Sequence, residues 1–140
     1  DSYFQSTSGK ARGGDGNSTN IGLRGWWRPE STGTATPSIS AGYDTSETDN
    51  TGANTNTTAY FVGLNWQDIF NADDRIGIAV GQPQKLENDT VDPFLYEIYY
   101  SYKVNDSTTV TPAFFGGTSK NSANKEVDMT GFVVETQFNF

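Results

Sequence analysis

Residues 94–104 read F-L-Y-E-I-Y-Y-S-Y-K-V, and this alternation limits the fold more than any other feature of the chain. Side chains along a strand point to opposite faces in turn. One face therefore carries Phe94, Tyr96, Ile98, Tyr100, Tyr102 and Val104, and the other carries Leu95, Glu97, Tyr99, Ser101 and Lys103. A helix would scatter the same rings around its circumference. The pattern predicts a strand with one face suited to hydrocarbon and one suited to water.

The same period recurs along the chain. Thr130, Phe132, Val134, Thr136, Phe138 and Phe140 alternate with Gly131, Val133, Glu135, Gln137 and Asn139. Tyr60, Val62, Leu64 and Trp66 alternate with Phe61, Gly63, Asn65 and Gln67, and Ile76, Ile78 and Val80 with Gly77, Ala79 and Gly81. Three weaker segments set Ile21, Leu23, Gly25 and Trp27 against Gly22, Arg24, Trp26 and Arg28; Ile39, Ala41 and Tyr43 against Ser38, Ser40, Gly42 and Asp44; and Val110, Pro112 and Phe114 against Thr111, Ala113 and Phe115. The first set of each segment is termed the first face below, and the other set the second face. Pro112 cannot donate a ladder hydrogen bond, which makes its strand the least secure. An eighth strand is expected near residues 2–8.

Between these segments, polar links at 9–19, 45–58, 83–93 and 118–129 read as long, and links at 29–36, 68–74 and 105–107 as short. Long and short alternate, as expected of an up-and-down meander whose two ends meet different media. First-face rings gather at the strand ends. Trp27, Trp66, Tyr102 and Phe140 lie near the short links, while Tyr43, Tyr60, Phe94 and Phe132 lie toward the long ones. Amphipathic rings favour a boundary where one edge is dry and the other wet.

Composition removes several function classes. The net charge of -8, from 17 acidic and 9 basic residues, argues against nucleic acid, because phosphate binding needs a basic surface. With no Cys and no His, the chain lacks disulfides, thiol nucleophiles, the usual general base and the commonest metal ligand. Neither an enzyme nor a cofactor nor a metal site is expected. No run approaches the roughly 18–20 apolar residues of a membrane-spanning helix. A β-barrel wall needs apolar side chains only at alternate positions of strands about 9–11 residues long, so a mean hydropathy of -0.61 is compatible with one.

At this point the chain resembles the cyanobacterial outer-membrane porins related to the carbohydrate-selective porins. The resemblance rests on A-G-Y-D-T-S at 41–46, Y-F-V-G-L-N-W at 60–66, G-I-A-V-G-Q-P at 77–83, Y-Y-S-Y-K at 99–103, V-T-P-A at 110–113 and the ending T-Q-F-N-F at 136–140. It implies a transmembrane antiparallel up-and-down β-barrel in the outer membrane, with short turns and carboxy-terminus periplasmic and long loops extracellular. It also implies passive diffusion of small hydrophilic solutes, inorganic ions foremost, through a homotrimer. Phe138 and Phe140 resemble the terminal signal that the barrel-assembly machinery reads. Members of that family are longer, with an amino-terminal cell-wall-binding module and more strands. Residues 1–140 then form a single barrel region, the carboxy-terminal portion of a larger wall; closure of seven or eight strands on themselves is the alternative.

Arg24, Arg28, Glu97, Lys103 and Glu135 are the candidate pore-lining charges, since lumen charges select the ions that pass. The plainer reading makes them cross-strand ion pairs. Acids at Glu47, Asp49, Glu87, Asp89, Asp92, Glu126 and Asp128 offer oxygen ligands for calcium, but their spacing matches no EF-hand loop, and a solvated acidic loop is the simpler assignment. Glu97 and Glu135 can be imagined as a glycosidase pair, but they sit on strands separated by another strand and nothing else supports hydrolysis. Gly77 and Gly81 precede no helix start and read as small packing positions rather than a phosphate loop. Two rival functions remain open from the residues alone. One is a soluble β-sandwich that stacks glycans on Trp26, Trp27 and Tyr43, and the other a small non-conducting structural barrel.

Overall fold

The fold was described from a computed structural model over residues 18–30, 36–48, 56–87, 89–121, 123 and 125–140. Seven strands follow one another: β1 Ser18–Trp27, β2 Ser38–Thr48, β3 Thr57–Gln67, β4 Arg75–Leu86, β5 Phe94–Asn105, β6 Thr108–Lys120 and β7 Glu126–Phe138. Each pairs antiparallel with its chain neighbours in one sheet of order β1-β2-β3-β4-β5-β6-β7. The described residues contain no helix. The eighth strand expected near residues 2–8 lies outside the described residues.

This is an open meander and not a closed barrel. β1 and β7 form the two edges and do not pair with each other, because every ladder runs between chain neighbours. The sheet has no second layer among the described residues either. Among the described residues the buried apolar side chains are Leu86, Val91 and Ala113, while Trp27 is 51% exposed and Phe132 67%. Water-soluble domains bury one face of a sheet against another element, and nothing in the described chain does so here.

The register carries every face assignment made from the alternation. Trp27 opposes Ile39, Ile39 opposes Leu64, Leu64 opposes Ile78, Ile78 opposes Ile98, Ile98 opposes Phe114 and Phe114 opposes Phe132. One row of seven large apolar residues thus crosses the whole sheet. A slip of one residue at any pairing would turn that strand's apolar set to the other side. Pro112 does not end β6: its ladder to β7 runs through Pro112 and Val134, and beside it Thr111 Oγ1 donates to Ser101 Oγ on β5 at 2.9 Å.

The alternation of long and short links does not hold. β2 continues to Thr48, β4 to Leu86 and β6 to Lys120, so the link at 87–93 is no longer than that at 68–74, and the one at 121–125 is shorter. The reason lies in the backbone, which outside proline makes ladder bonds whatever the side chain. Thr, Ser, Gln and Lys therefore extend strands past the point where apolar alternation stops. These ends are also held by side chains: Lys85 pairs with Asp92 and Lys120 with Asp89, and Asp89 accepts from the Leu86 amide at 3.1 Å.

The second face is built on rings laid over glycine. Tyr99 crosses the neighbouring strand above Gly77 and its hydroxyl accepts from Asn65 Nδ2 at 2.7 Å, so one side chain spans β5, β4 and β3. A Cβ on Gly77 would fall 2.1 Å from the Tyr99 ring. Gly77→Ala is expected to lower stability by about 1–3 kcal/mol through overpacking, measured by urea unfolding. On a Tyr99→Ala background the same change is expected to cost almost nothing.

Candidate functional site

The apolar run of the first face shifts steadily across the sheet. In β1 it extends from Ile21 to Trp27 and is centred at Arg24, which opposes Gly42, whereas the β2 run from Ile39 to Tyr43 is centred one residue away at Ala41. Ala41 opposes Val62, and the β3 run from Tyr60 to Trp66 is centred at Gly63. Gly63 opposes Ala79, and the β4 run is centred at Ile78. Ile78 opposes Ile98, and the β5 run is centred at Tyr99. Tyr99 opposes Ala113 with the β6 run centred at Pro112, and Pro112 opposes Val134 with the β7 run centred at Glu135. Every step is one residue in the same direction. With about 3.4 Å per residue and about 4.8 Å between strands, the band is inclined by about 35° to the perpendicular of the strands.

Its boundaries follow the same incline. Trp27 shares a row with Leu64, and Trp66 lies two residues beyond it. Trp66 shares a row with Ile76 and Tyr100, and Tyr102 lies two residues beyond. Tyr102 shares a row with Val110 and Thr136, and Phe138 lies two residues beyond. At the other boundary, Tyr60, Tyr96 and Phe132 form a parallel line, with Tyr43 directly opposite Tyr60 and Phe94 two residues farther out than Tyr96. Phe140 lies beyond the last residue of β7 and is fully exposed.

Behind this band, the second face carries the five candidate charges at three levels. Arg24 and Glu135 stand at mid-height, Glu97 two residues toward the 87–93 link, and Lys103 four residues the other way; Arg28 follows the end of β1. Three of them have partners. Arg24 makes a two-pronged contact with Asp44, at 2.9 and 2.6 Å, and Arg28 donates to Gln67 Oε1 at 2.8 Å. Lys103 lies 3.6 Å from Asp73 and 3.4 Å from Asp106. Glu97 and Glu135 have no ion-pair partner among the described residues. Four residues along the strands and two strands apart, these two lie roughly 17 Å from each other, too far for a glycosidase dyad. Trp26 and Trp27 point to opposite faces, so with Tyr43 they make no single stacking platform.

Rings and glycines shape the space around Glu97. Phe61 leans over Gly42, toward β1, and Phe115 leans over Gly131, at the opposite edge; a Cβ on either glycine would fall 2.3 or 2.2 Å from the ring. Between the two rings opens a hollow of about 520 Å³, floored by Ala79, Gly81, Leu95 and Glu97. Sequence reading missed both rings as site residues, since neither their lean nor their glycine partners can be known before register is.

Asp74 organises the 68–74 link and was also missed. It is fully buried, and its carboxylate accepts from the amides of Ile69, Phe70 and Asn71 at 2.7, 3.0 and 3.0 Å and from the Tyr100 hydroxyl at 2.9 Å. Asp68 and Asp73 take positive φ, 55° and 68°, to make the turn. Because Tyr100 belongs to the first face, the link folds onto that side, with Phe70 edge-on to Tyr100 at 6.0 Å. The run D-I-F-N-A-D-D at 68–74 carries the signal of a turn, but not which of its three acids serves as the hub.

The acidic positions near the links gather no metal cluster among the described residues. Asp89 and Asp92 are paired with lysines, Glu126 opposes Lys120, and Asp49 lies outside the described residues. Comparison with known protein families, with curated proteins and with solved structures returned no match.

Burial works to raise the Asp74 pKa, but the three amides and the Tyr100 hydroxyl outweigh it, and the net position is below the ordinary carboxylate range. A group whose folded pKa is depressed stabilises above its unfolded value, about 3.9, and loses that contribution as pH falls through the lower folded value. The protection factors of the Ile69, Phe70 and Asn71 amides, corrected for intrinsic exchange at each pH, are therefore expected to hold from neutral pH down to about 4 and to fall as the pH drops further. In Asp74→Asn these amides exchange fast at neutral pH, while the β5–β6 ladder keeps its protection; hydrogen exchange by mass spectrometry reads both.

Proposed function

We propose that the sheet is part of the wall of a transmembrane β-barrel in a bacterial outer membrane, a porin passing small hydrophilic solutes, inorganic ions foremost, by passive diffusion. The observation that carries this reading is the inclined band. A lipid slab cuts tilted strands along a diagonal, and strands of outer-membrane barrels tilt by about 35–45°. The band's incline of about 35° falls at that value, and the ring-bearing boundary runs parallel to it. A sandwich half buried under a second sheet has no need of a stagger repeated at every pairing. The two ring lines are six residues apart on β3, about 17 Å across the band; Trp and Tyr side chains leaning outward widen it toward the usual apolar height of about 25 Å.

The second face supports a wet lumen through the charges it carries, Arg24, Glu97, Lys103 and Glu135, where the first face of the same strands carries apolar and aromatic side chains. Lipid covers the first face in this reading, and further strands cover the edges of β1 and β7. The 68–74 link and 106–107 turn then lie on the periplasmic side, with Phe138 and Phe140 as the assembly signal, and a homotrimer follows from the resemblance. The wall does no covalent chemistry. It sets what passes through Arg24 and Glu135 at mid-height, with Asp44 neutralising the first of these.

Two measurements test the reading on the intact protein. Reconstitution in planar bilayers is expected to give discrete conductance steps. Ile98→Arg on the first face is expected to lower folding stability in lipid vesicles by about 2–4 kcal/mol, while Val133→Arg on the second costs within about 0.5 kcal/mol. Equal costs at the two positions would overturn the assignment of faces.

A further inference from the structure

We infer that the hollow between Phe61 and Phe115 is a subsite for small organic cations, an ammonium group carried on a flat apolar body, with Glu97 as its anion. The inference rests on the reading of the second face as wet, and goes beyond it by naming a ligand class that inorganic-ion passage does not require.

The same sheet already holds one cation by the chemistry invoked. The Arg24 guanidinium closes on the Asp44 carboxylate and sits 5.5 Å from the centroid of the Phe61 ring. A carboxylate supplies charge and an aromatic face supplies its negative quadrupole, a combination that favours a partly dehydrated cation over a fully hydrated one. Glu97 and Phe115 stand directly opposite each other on β5 and β6 and bring the same two kinds of group to the hollow, with the Phe115 ring laid over Gly131 on the side away from Glu97. No cationic side chain among the described residues answers Glu97.

The shape fits the remainder of such a ligand. Each ring is drawn outward onto its glycine, so the walls stand three strand spacings and two residues apart, about 16 Å between their backbones. The floor is small and apolar at Ala79 and Gly81, with Leu95 and Met129 extending the apolar lining. A metal ion would use the Glu97 charge but gain nothing from the apolar lining, and a sugar would find few hydrogen-bond partners among Ala79, Gly81, Leu95 and Met129. An arylalkylammonium uses both the apolar lining and the charge.

The test uses intact protein in planar bilayers, with 2-phenylethylammonium as probe and 2-phenylethanol as its neutral counterpart. The cation is expected to reduce single-channel current in a concentration-dependent way, and the alcohol is not. Glu97→Gln is expected to raise the half-blocking concentration about tenfold and Phe115→Ala about threefold, while Glu126→Gln, which removes the same charge outside the hollow, leaves it unchanged. Block that survives Glu97→Gln, or equal block by the alcohol, overturns the subsite. Conducting channels that ignore the cation also refute it, with the porin reading intact. If the protein does not conduct, calorimetric titration in detergent with the same probes and variants decides the subsite separately.

Discussion

The structure depends on hydrogen-bond register, because there is so little else to hold it. In a layered domain, a slipped strand is corrected by the core it would expose. Here Leu86, Val91 and Ala113 are the buried apolar residues among those described, and they define no core that spans the sheet. What fixes each strand is its ladder and the side chains opposed across it, each cross-strand pair contributing only about 0.2–1 kcal/mol. Such pairs specify well only when they agree, and the uninterrupted row from Trp27 to Phe132 shows them agreeing at all six pairings.

Register also turns a one-dimensional alternation into a two-dimensional surface. The step of one residue per strand is invisible within any single strand and appears only when all seven are aligned. That explains what was legible in the sequence and what was not. Period two assigned both faces of every strand, and the register agrees at each of them. Link lengths were misjudged because the sequence reveals where apolar alternation ends, as at Gln82 on β4, and not where the backbone ladder ends, at Leu86. Trp27 and Trp66 were legible as boundary rings because each terminates an apolar run, and Tyr102 because only Val104 follows it; Phe138, not Phe140, continues their line, since the line is set by neighbours two strands away.

The candidate charges show the limit of the same logic. Alternation placed Arg24, Lys103 and Glu97 on one face without distinguishing them. Arg24 is tied up because Asp44 lies one strand over and two residues along from its register partner Gly42. Lys103 is held by Asp73 and Asp106, which belong to two different links. Glu97 is left without an ion pair because its register partners are Ala79 and Phe115. Identical positions in a binary pattern thus acquire different electrostatic roles from neighbours that the fold supplies, 18 to 20 residues away in sequence for Arg24 and Glu97 and in two separate links for Lys103.

Glycine on the second face unites the shape of the wall with its chemistry. A ring standing upright on a strand would project into the space behind the sheet, whereas a ring laid across a glycine keeps its apolar area on the sheet and leaves that space open. Tyr99 over Gly77, Phe61 over Gly42 and Phe115 over Gly131 all take this course. Each ring so placed stiffens the pairing beneath it, as Tyr99 does by reaching Asn65 two strands away. In a sheet whose described residues form no core, these rings supply packing that elsewhere would come from a second layer. They do so without filling the passage that the proposed function requires, and their outward lean is also what leaves Glu97 accessible between them.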